Sequence, residues 1–452
     1  MDSQINRHCQ KAALICASER KKMTTEKFLT ELGVDAPGKI ICEPVNCGAG
    51  LAVETDGGSN EDSYMLVTEG VGAKSFRAFL SALAKTGRKE TFHREFNGNI
   101  FAEFENGGGI IYTYFTEALG TARIIFDCVS TPLKDFNSSR KETRNDTSLM
   151  QFALKYGKMI RHKSCDCGML YAFRLRDNSL IVIDGGESEQ ATEEACDEIM
   201  ERFYDMTKQD KSEKLCISLW ICTHNHDDHM DVFVKLLRRE HEHLTLERVM
   251  FNFPSMPLMK SDYSCTERMK KRIGNLYPDV KYLKPHTGET VEMPGAQIEI
   301  LTTHEDILPC SYRARFNTPY RGMNESTTVF KVWFDDCTAI FLGDAEETNG
   351  EALIALYGKT LLSAEFLQCA HHLINDDKNI YASIKANKLL IPQCRYIGNT
   401  HDRDNTSFLT GIFGAENMYY AGDCTYVFNV HDGVKTVELF EQKGYYFDGS
   451  EL

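Results

Sequence analysis

The segment Ile217-Ser218-Leu219-Trp220-Ile221-Cys222-Thr223-His224-Asn225-His226-Asp227-Asp228-His229-Met230-Asp231 holds the densest chemistry in the chain. An apolar run leads straight into three histidines and two adjacent aspartates. His224 and His226 stand two apart, so a locally extended backbone points both side chains to one side. Asp228 and His229 follow as the chain turns. Imidazole with carboxylate suits zinc, manganese or iron, and nothing nearby resembles the cysteine set of a structural zinc site. A solvated loop with incidental histidines accounts poorly for so many ligand-type residues at the end of one apolar run.

Elements of alternating type must position that loop. Residues 170–175 and 179–183 read as strands joined by the turn Arg176-Asp177-Asn178, the second ending in Asp184-Gly185-Gly186. Residues 191–206 have helical apolar spacing, with acidic side chains in the first turn where the helix dipole favours them. Residues 215–222 read as a buried strand and 230–239 as an amphipathic helix. Further strands are expected at 249–251, 298–301, 328–334 and 338–342. The first 150 residues read differently. A helix-like stretch from Ser75 precedes strand-like segments at 99–104, 109–115 and 121–126, separated by glycine-rich turns. That pattern describes a small α+β module with an antiparallel sheet and no catalytic constellation. The charged, apolar-poor stretch 134–146 suits a linker or exposed loop. It divides the chain into an N-terminal module, 1–150, and a second domain, 151–452.

Composition excludes several classes. The chain has 452 residues, 42% of them hydrophobic and 26% charged, which is a globular balance. Lysine plus arginine number 51 against 66 aspartate plus glutamate, a net charge of −15. Strong non-specific binding to nucleic acid or anionic lipid is not expected, because the phosphate-driven term needs clustered positive charge. No apolar run approaches the ~18–20 residues of a membrane span. The N-terminus lacks the apolar core of a secretory signal. The 16 cysteines are scattered, several inside apolar strands, which points to reduced, buried thiols in a cytoplasmic protein. No internal repeat stands out.

The pattern His224-x-His226-x-Asp228-His229 after a hydrophobic strand resembles the signature of the metallo-β-lactamase superfamily. Asp184-Gly185-Gly186 is similar to that family's early structural aspartate. Ile340-Phe341-Leu342-Gly343-Asp344 resembles the strand whose terminal aspartate bridges two metals, and Phe366-Leu367-Gln368-Cys369-Ala370-His371-His372 the later strand-end histidine. The stretch Asn324-Glu325-Ser326, the paired histidines and Ile397-Gly398-Asn399-Thr400-His401 look like one branch: the hydrolase domain of the bacterial competence DNA-uptake channel protein and its free-standing relatives. The resemblance covers about residues 165–435.

The resemblance implies an α/β fold, a four-layer αβ/βα sandwich with metals at the strand ends along one edge. It places His224 and His226 on a first ion, Asp228 and His229 on a second, and Asp344 between them. His371 completes the second set, with His372 as the alternative. Asp228 and His401 are the candidate catalytic residues. The cofactor implied is a divalent metal, one or two ions, zinc first with manganese or iron as alternatives. Two cations sharing a carboxylate lower the pKa of a bridging water and stabilise charge on attacking and leaving oxygens.

The sequence also departs from the pattern. The isolated histidine between the first loop and the bridging aspartate has no clear equivalent; His304 and His286 are the histidines in that interval, and Asn324 is a possible substitute. Leu373 stands where a glycine usually follows the paired histidines. Arg313, Arg315 and Arg321 form a basic stretch read as a solvated connection, with a phosphate clamp as the alternative. Cys165-x-Cys167 and Cys369 are read as bystander thiols.

The expected function is hydrolysis by a metal-bound water, with a phosphodiester or related phosphoryl ester as substrate. The alternatives are hydrolysis of a carboxylic ester, lactone or thioester, or a non-catalytic metal-binding sensor with a degenerate site. A small-molecule or ester substrate is the expected partner, with no membrane and no strong nucleic-acid binding. Metal and catalysis are expected to lie wholly in residues 151–452.

Overall fold

The computed structural model describes residues 23–48, 63–107, 109–128, 130–154, 169–254, 269, 273–307, 323–358, 362–374, 377–400, 402–431 and 434–440. They build three sheets. The first is antiparallel and runs Lys39–Ile40, Tyr64–Glu69, Thr121–Asp127, Gly109–Thr116, Asn99–Asn106, Glu90–Phe96, with Val45–Asn46 also on Tyr64–Glu69. Helices Thr25–Leu32 and Ala73–Lys85 cover one face, where Phe28, Phe76, Phe115 and Phe126 are buried together. Thr24 starts the first helix by accepting from Lys27 N, and Gly33 ends it at φ 73, a left-handed stop that glycine adopts without cost.

The second sheet begins with Thr147–Gln151. Its order is Lys281–Leu283, Arg248–Met250, Leu215–Ile221, Leu180–Asp184, Leu170–Arg174, Thr147–Gln151, Thr425–His431, Val434–Phe440, with Leu244–Leu246 beside Leu215–Ile221. The third runs Thr290–Met293, Ala296–Thr302, Val329–Phe334, Cys337–Phe341, Leu362–Gln368, Ile384–Ile391, Met418–Tyr420. The second and third sheets each have a parallel half, whose strands are Leu180–Asp184 through Lys281–Leu283 in one and Cys337–Phe341 through Met418–Tyr420 in the other.

Strand periodicity sorts the side chains into layers. Leu180 and Val182 face the helices Glu193–Thr207 and Asp231–Arg239, while Ile181 and Ile183 face the other sheet. The register between Leu180–Asp184 and Leu215–Ile221 slips once, between Leu180 and Ile181. Past that bulge, Trp220 and Cys222 point to the helices and Leu219 and Ile221 to the inter-sheet core. On the far side, Glu347–Tyr357, Lys378–Ser383 and Arg403–Phe413 pack over Ile340, Leu367 and Leu389. Helices, sheet, sheet, helices: the fold is the four-layer αβ/βα sandwich expected from the sequence, with a small α+β unit ahead of it.

The stretch 134–146 is mostly exposed, as a surface loop would be, and it is pinned to the sandwich at a few points. Leu133 and Phe136 of the short helix Leu133–Phe136 enter the inter-sheet core. Arg140 pairs with Asp177 at 2.9 Å, and Thr143 N donates to Arg176 O at 2.8 Å. Some of its charges meet partners distant in sequence. The N-terminal sheet also docks through its aromatic face. Tyr112 Oη donates to Thr287 O, Tyr114 Oη to Asp306 Oδ1, and Arg123 to the carbonyls of Glu305 and Asp306. Among the described residues no helix is long and apolar enough to cross a membrane.

Candidate metal centre

Five parallel-strand ends converge along one edge. Leu180–Asp184 ends in Asp184, Leu215–Ile221 leads to the loop 223–229, Cys337–Phe341 to Asp344, Leu362–Gln368 to His371 and His372, and Ile384–Ile391 to Pro392.

Asp184 supports the centre from below. Its carboxylate accepts from Thr223 N at 2.8 Å, from Thr223 Oγ1 at 2.9 Å and from His229 Nδ1 at 2.7 Å. A carboxylate on Nδ1 fixes the proton there and leaves Nε2 as a lone-pair donor toward the cavity. Gly185 follows because a Cβ there would lie 2.4 Å from Phe233 Cβ; the Asp-Gly-Gly turn is where helix Asp231–Arg239 docks, with Phe233 N donating to Gly185 O.

Two sets of ligand-type atoms result, each within 4.8 Å, and they share Asp344. One is His224, His226 and Asp344; the other is Asp228, His229, Asp344 and His372. His224 Nε2 lies 3.6 Å from Asp344 Oδ2 and 2.9 Å from His226 Nδ1. His229 Nε2 lies 3.2 Å from Asp344 Oδ1 and 3.6 Å from Asp228 Oδ2. His372 Nε2 lies 2.9 Å from Asp228 Oδ2, and its Nδ1 faces Pro392 O at 3.1 Å. A carbonyl only accepts, so Nδ1 donates and Nε2 turns its lone pair inward.

His371, expected in the second set, is replaced there by His372. The backbone is left-handed at His371, His372 and Leu373 (φ 49, 48 and 77), so the pair projects differently from an extended strand end. His372 is buried, whereas the His371 side chain is 25% exposed, 3.7 Å from Asp344 Oδ2 and 3.1 Å from Asn324 Nδ2. Leu373 occupies the usual glycine's place and keeps its left-handed conformation, anchored by complete burial.

The expectation of a further histidine on the first set is not met. His304 is buried with Nε2 2.8 Å from Asn252 Oδ1, and burial lowers its pKa to about 3. His286 is held between Asp127 and Glu305. His401, Arg313, Arg315, Arg321, Cys165 and Cys167 lie outside the described residues. The Cys369 thiol is buried, its pKa pushed up to about 12 by desolvation, as suits a bystander.

Several supporting residues escaped sequence reasoning. Gln368 Oε1 accepts from Leu342 N and Gly343 N, and its Nε2 donates to Gly343 O, holding the turn that presents Asp344. Gly343 has φ +53, and a Cβ there would lie 2.6 Å from Thr327 Cγ2 and 2.9 Å from Thr223 Cβ. A glutamine at the end of an apolar strand was the one available signal.

The electrostatics are those of a cation site. Burial alone would raise the Asp344 pKa, but His229, His224 and His372 outweigh it and hold the carboxyl well below its usual range. Burial lowers His224 and His226, keeping both neutral as ligands require. Burial would also lower His229; Asp344, Asp228 and Asp184 overcome it and raise the pKa well above normal. His229 Nε2 and Asp344 Oδ1 face each other, buried, and neither has a hydrogen-bond partner. Orphaned buried polar atoms carry a large penalty unless something sits between them. Nitrogen and carboxylate donors in this number fit one or two divalent transition-metal ions.

No protein-family model and no curated protein matches the chain. Among solved structures it is similar to a mutant of the beta-hydroxylase CmlA, at 11% identity and a TM-score of 0.35, covering 73% of this chain and 69% of that one. It is also similar to CmlA, a diiron beta-hydroxylase from Streptomyces venezuelae, at 12% identity and a TM-score of 0.28 over 65% of this chain and 57% of that one. Human tRNase Z, short form, aligns at 11% identity and a TM-score of 0.27, covering 60% of this chain and 95% of that one.

Proposed function

We propose that the chain is a metal-dependent hydrolase, with a phosphodiester or related phosphoryl ester as its substrate. The observation that carries this reading is the sharing of buried Asp344 between two ligand sets. His224, His226 and Asp344 would hold one ion; Asp228, His229, His372 and Asp344 would hold the other. Bound divalent ions supply Lewis acidity and a lowered water pKa. The chain's own part is positional. Asp184 and the Pro392 carbonyl fix the tautomers of His229 and His372, Gln368 holds the Asp344 turn, and burial excludes bulk water. His371, partly exposed and hydrogen-bonded to the buried Asn324, is placed to meet a substrate oxygen at the rim.

The sequence resemblance to the competence-protein hydrolase domain supports a phosphoryl ester over a lactone, thioester or carboxylic ester. The short first set, without a third histidine among the described residues, favours a second reading, a sensor that binds metal without turnover. Zinc is our choice of metal and the cytoplasm our choice of compartment, on the donor set and the buried thiols. All these ligand-type residues follow Thr147, so metal chemistry belongs to residues 151–452. At net −15 we expect no strong duplex DNA binding, which an anisotropy titration at ~0.15 M salt would test. A panel of chromogenic phosphodiester, phosphomonoester, lactone and β-lactam substrates, run with zinc, manganese or iron restored after chelation, decides the class. Phosphodiester turnover lost on chelation supports the proposal. Metal binding without turnover of any substrate favours the sensor.

A further inference from the structure

A second concavity lies away from the metal edge. It has a volume of about 290 Å³ and sits beside the last two strands of the nine-stranded sheet and the end of helix Glu193–Thr207. Arg174 forms its inner wall. That residue ends strand Leu170–Arg174 and pairs with Leu180, whereas Asp184 pairs with Leu170. The concavity and the metal centre therefore stand at opposite ends of the same two strands, ~13 Å apart along the chain direction at ~3.3 Å per residue.

Four cationic side chains line it: Arg144, Arg174, Arg202 and Lys208. Three carboxylates oppose them, and each is engaged. Asp146 is shared by Arg144 at 3.0 Å and Arg174 at 2.7 Å. Asp205 pairs with Arg202 at 2.8 Å, with Glu201 on the same guanidinium at 3.4 Å, and Glu438 accepts from Asn429 at 2.7 Å. Asp335, which also acts on Arg174, is held by Arg176 and Thr147. Two guanidinium groups thus compete for one carboxylate. The Arg174 side chain is only 3% exposed, and its Nε is buried with no hydrogen-bond partner. Lys208 is exposed and makes no ion pair among the described residues. Apolar surface completes the lining: Met206, Val427 and Phe440, the last with Arg202 over its ring at 4.5 Å.

A buried arginine left with an unmade hydrogen bond is costly, and four cations gathered in one lining stand out in a chain of charge −15. Guanidinium pairs match the tetrahedral oxygens of phosphate bidentately, and the apolar wall requires a body behind the head group. We propose that this pocket binds a small phosphate monoester with a compact apolar or aromatic body, independently of the metal centre.

The test is calorimetric titration of the full chain in chelator with benzylphosphonate, whose carbon–phosphorus bond resists hydrolysis, beside inorganic phosphate and phenylacetate. Benzylphosphonate is expected to bind with a Kd below ~1 mM, ahead of both the bare head group and the carboxylate. Arg174→Met risks misfolding because the residue is buried. Lys208→Glu and Arg144→Gln alter partly or wholly exposed groups and should each weaken binding about tenfold. Asp344→Asn should leave it unchanged. Absence of binding up to ~10 mM, equal affinity in Lys208→Glu, or loss in Asp344→Asn would each overturn the proposal.

Discussion

Asp184 and His229 are joined at 2.7 Å, carboxylate to Nδ1, across 45 residues of sequence, and both are completely buried. The aspartate does not face the metal sets itself. It fixes which nitrogen of His229 does. Asp184→Asn should therefore loosen the second set without emptying the first. The expected effect is a ~10–100-fold loss of affinity for the second ion, read by competition with a chromogenic chelator. An unchanged affinity would mean that His229 is oriented by its burial alone.

The paired histidines divide their roles. His372→Ala removes a group within the second set and should lower metal content. His371→Ala should leave metal content intact while lowering turnover, because His371 stands at the rim beside Asn324. Elemental analysis and kinetics on the two variants distinguish this from the reverse assignment.

Leu373 opposes two effects that can be weighed. A left-handed non-glycine residue costs about 1–2 kcal/mol, so Leu373→Gly relieves strain. The same change empties a fully buried site, and large-to-small core substitutions cost about 2–5 kcal/mol. Packing wins. Urea unfolding should show a net loss of about 2 kcal/mol, within a span of about 0–4 kcal/mol. A gain in stability would show the turn to be more strained than the packing is favourable.

Much of the centre was legible because one strand end supplies it contiguously: His224, His226, Asp228 and His229 are neighbours in sequence before they are neighbours in space. Asp344 was legible for the same reason, closing an apolar strand. The choice between His371 and His372 was not, since it depends on three consecutive left-handed residues that no side-chain pattern announces. Pro392 contributes a backbone carbonyl, which sequence does not mark. Strands Thr147–Gln151 and Thr425–His431 were missed because Ser148, Gln151 and Asn429 interrupt their apolar alternation. The exposure of 134–146 was legible in its charges; the contacts that pin it were not, since Arg140 meets Asp177 and Glu247, and Asp146 meets Arg174, residues that only the fold brings near.

The interface between the first sheet and the sandwich should make stability depend on pH in both directions. His286 lies 3.2 Å from Asp127 and 2.8 Å from Glu305, beside Lys284. Burial would lower the His286 pKa, but Glu305 and Asp127 outweigh it and raise it to about 10. A group raised above its unfolded value, ~6.5, contributes fully below that pH and loses its contribution as pH climbs through about 10. His304 has the opposite sign. Burial takes it to about 3, so the unfolded chain binds the extra proton and stability falls as pH drops from ~6.5 toward 3. Asp127, depressed to about 2 by His286 and Lys284 against its burial, loses its contribution from ~3.9 downward. Urea midpoints from pH 4 to 10 should peak near neutrality, and His286→Gln should flatten the alkaline limb. A limb of unchanged slope in that variant would locate the titration elsewhere.

The shared carboxylate is the centre of the account, and metal stoichiometry tests it most directly. The protein as purified, or resupplied with zinc or manganese, should carry one to two equivalents of divalent transition metal by elemental analysis, as the two sets joined at Asp344 require. Asp344→Asn, which removes charge with little change in volume, should reduce that content and abolish turnover while melting in chelator like the unaltered chain. Metal at background in the unaltered protein, or full metal and activity in Asp344→Asn, would contradict the account.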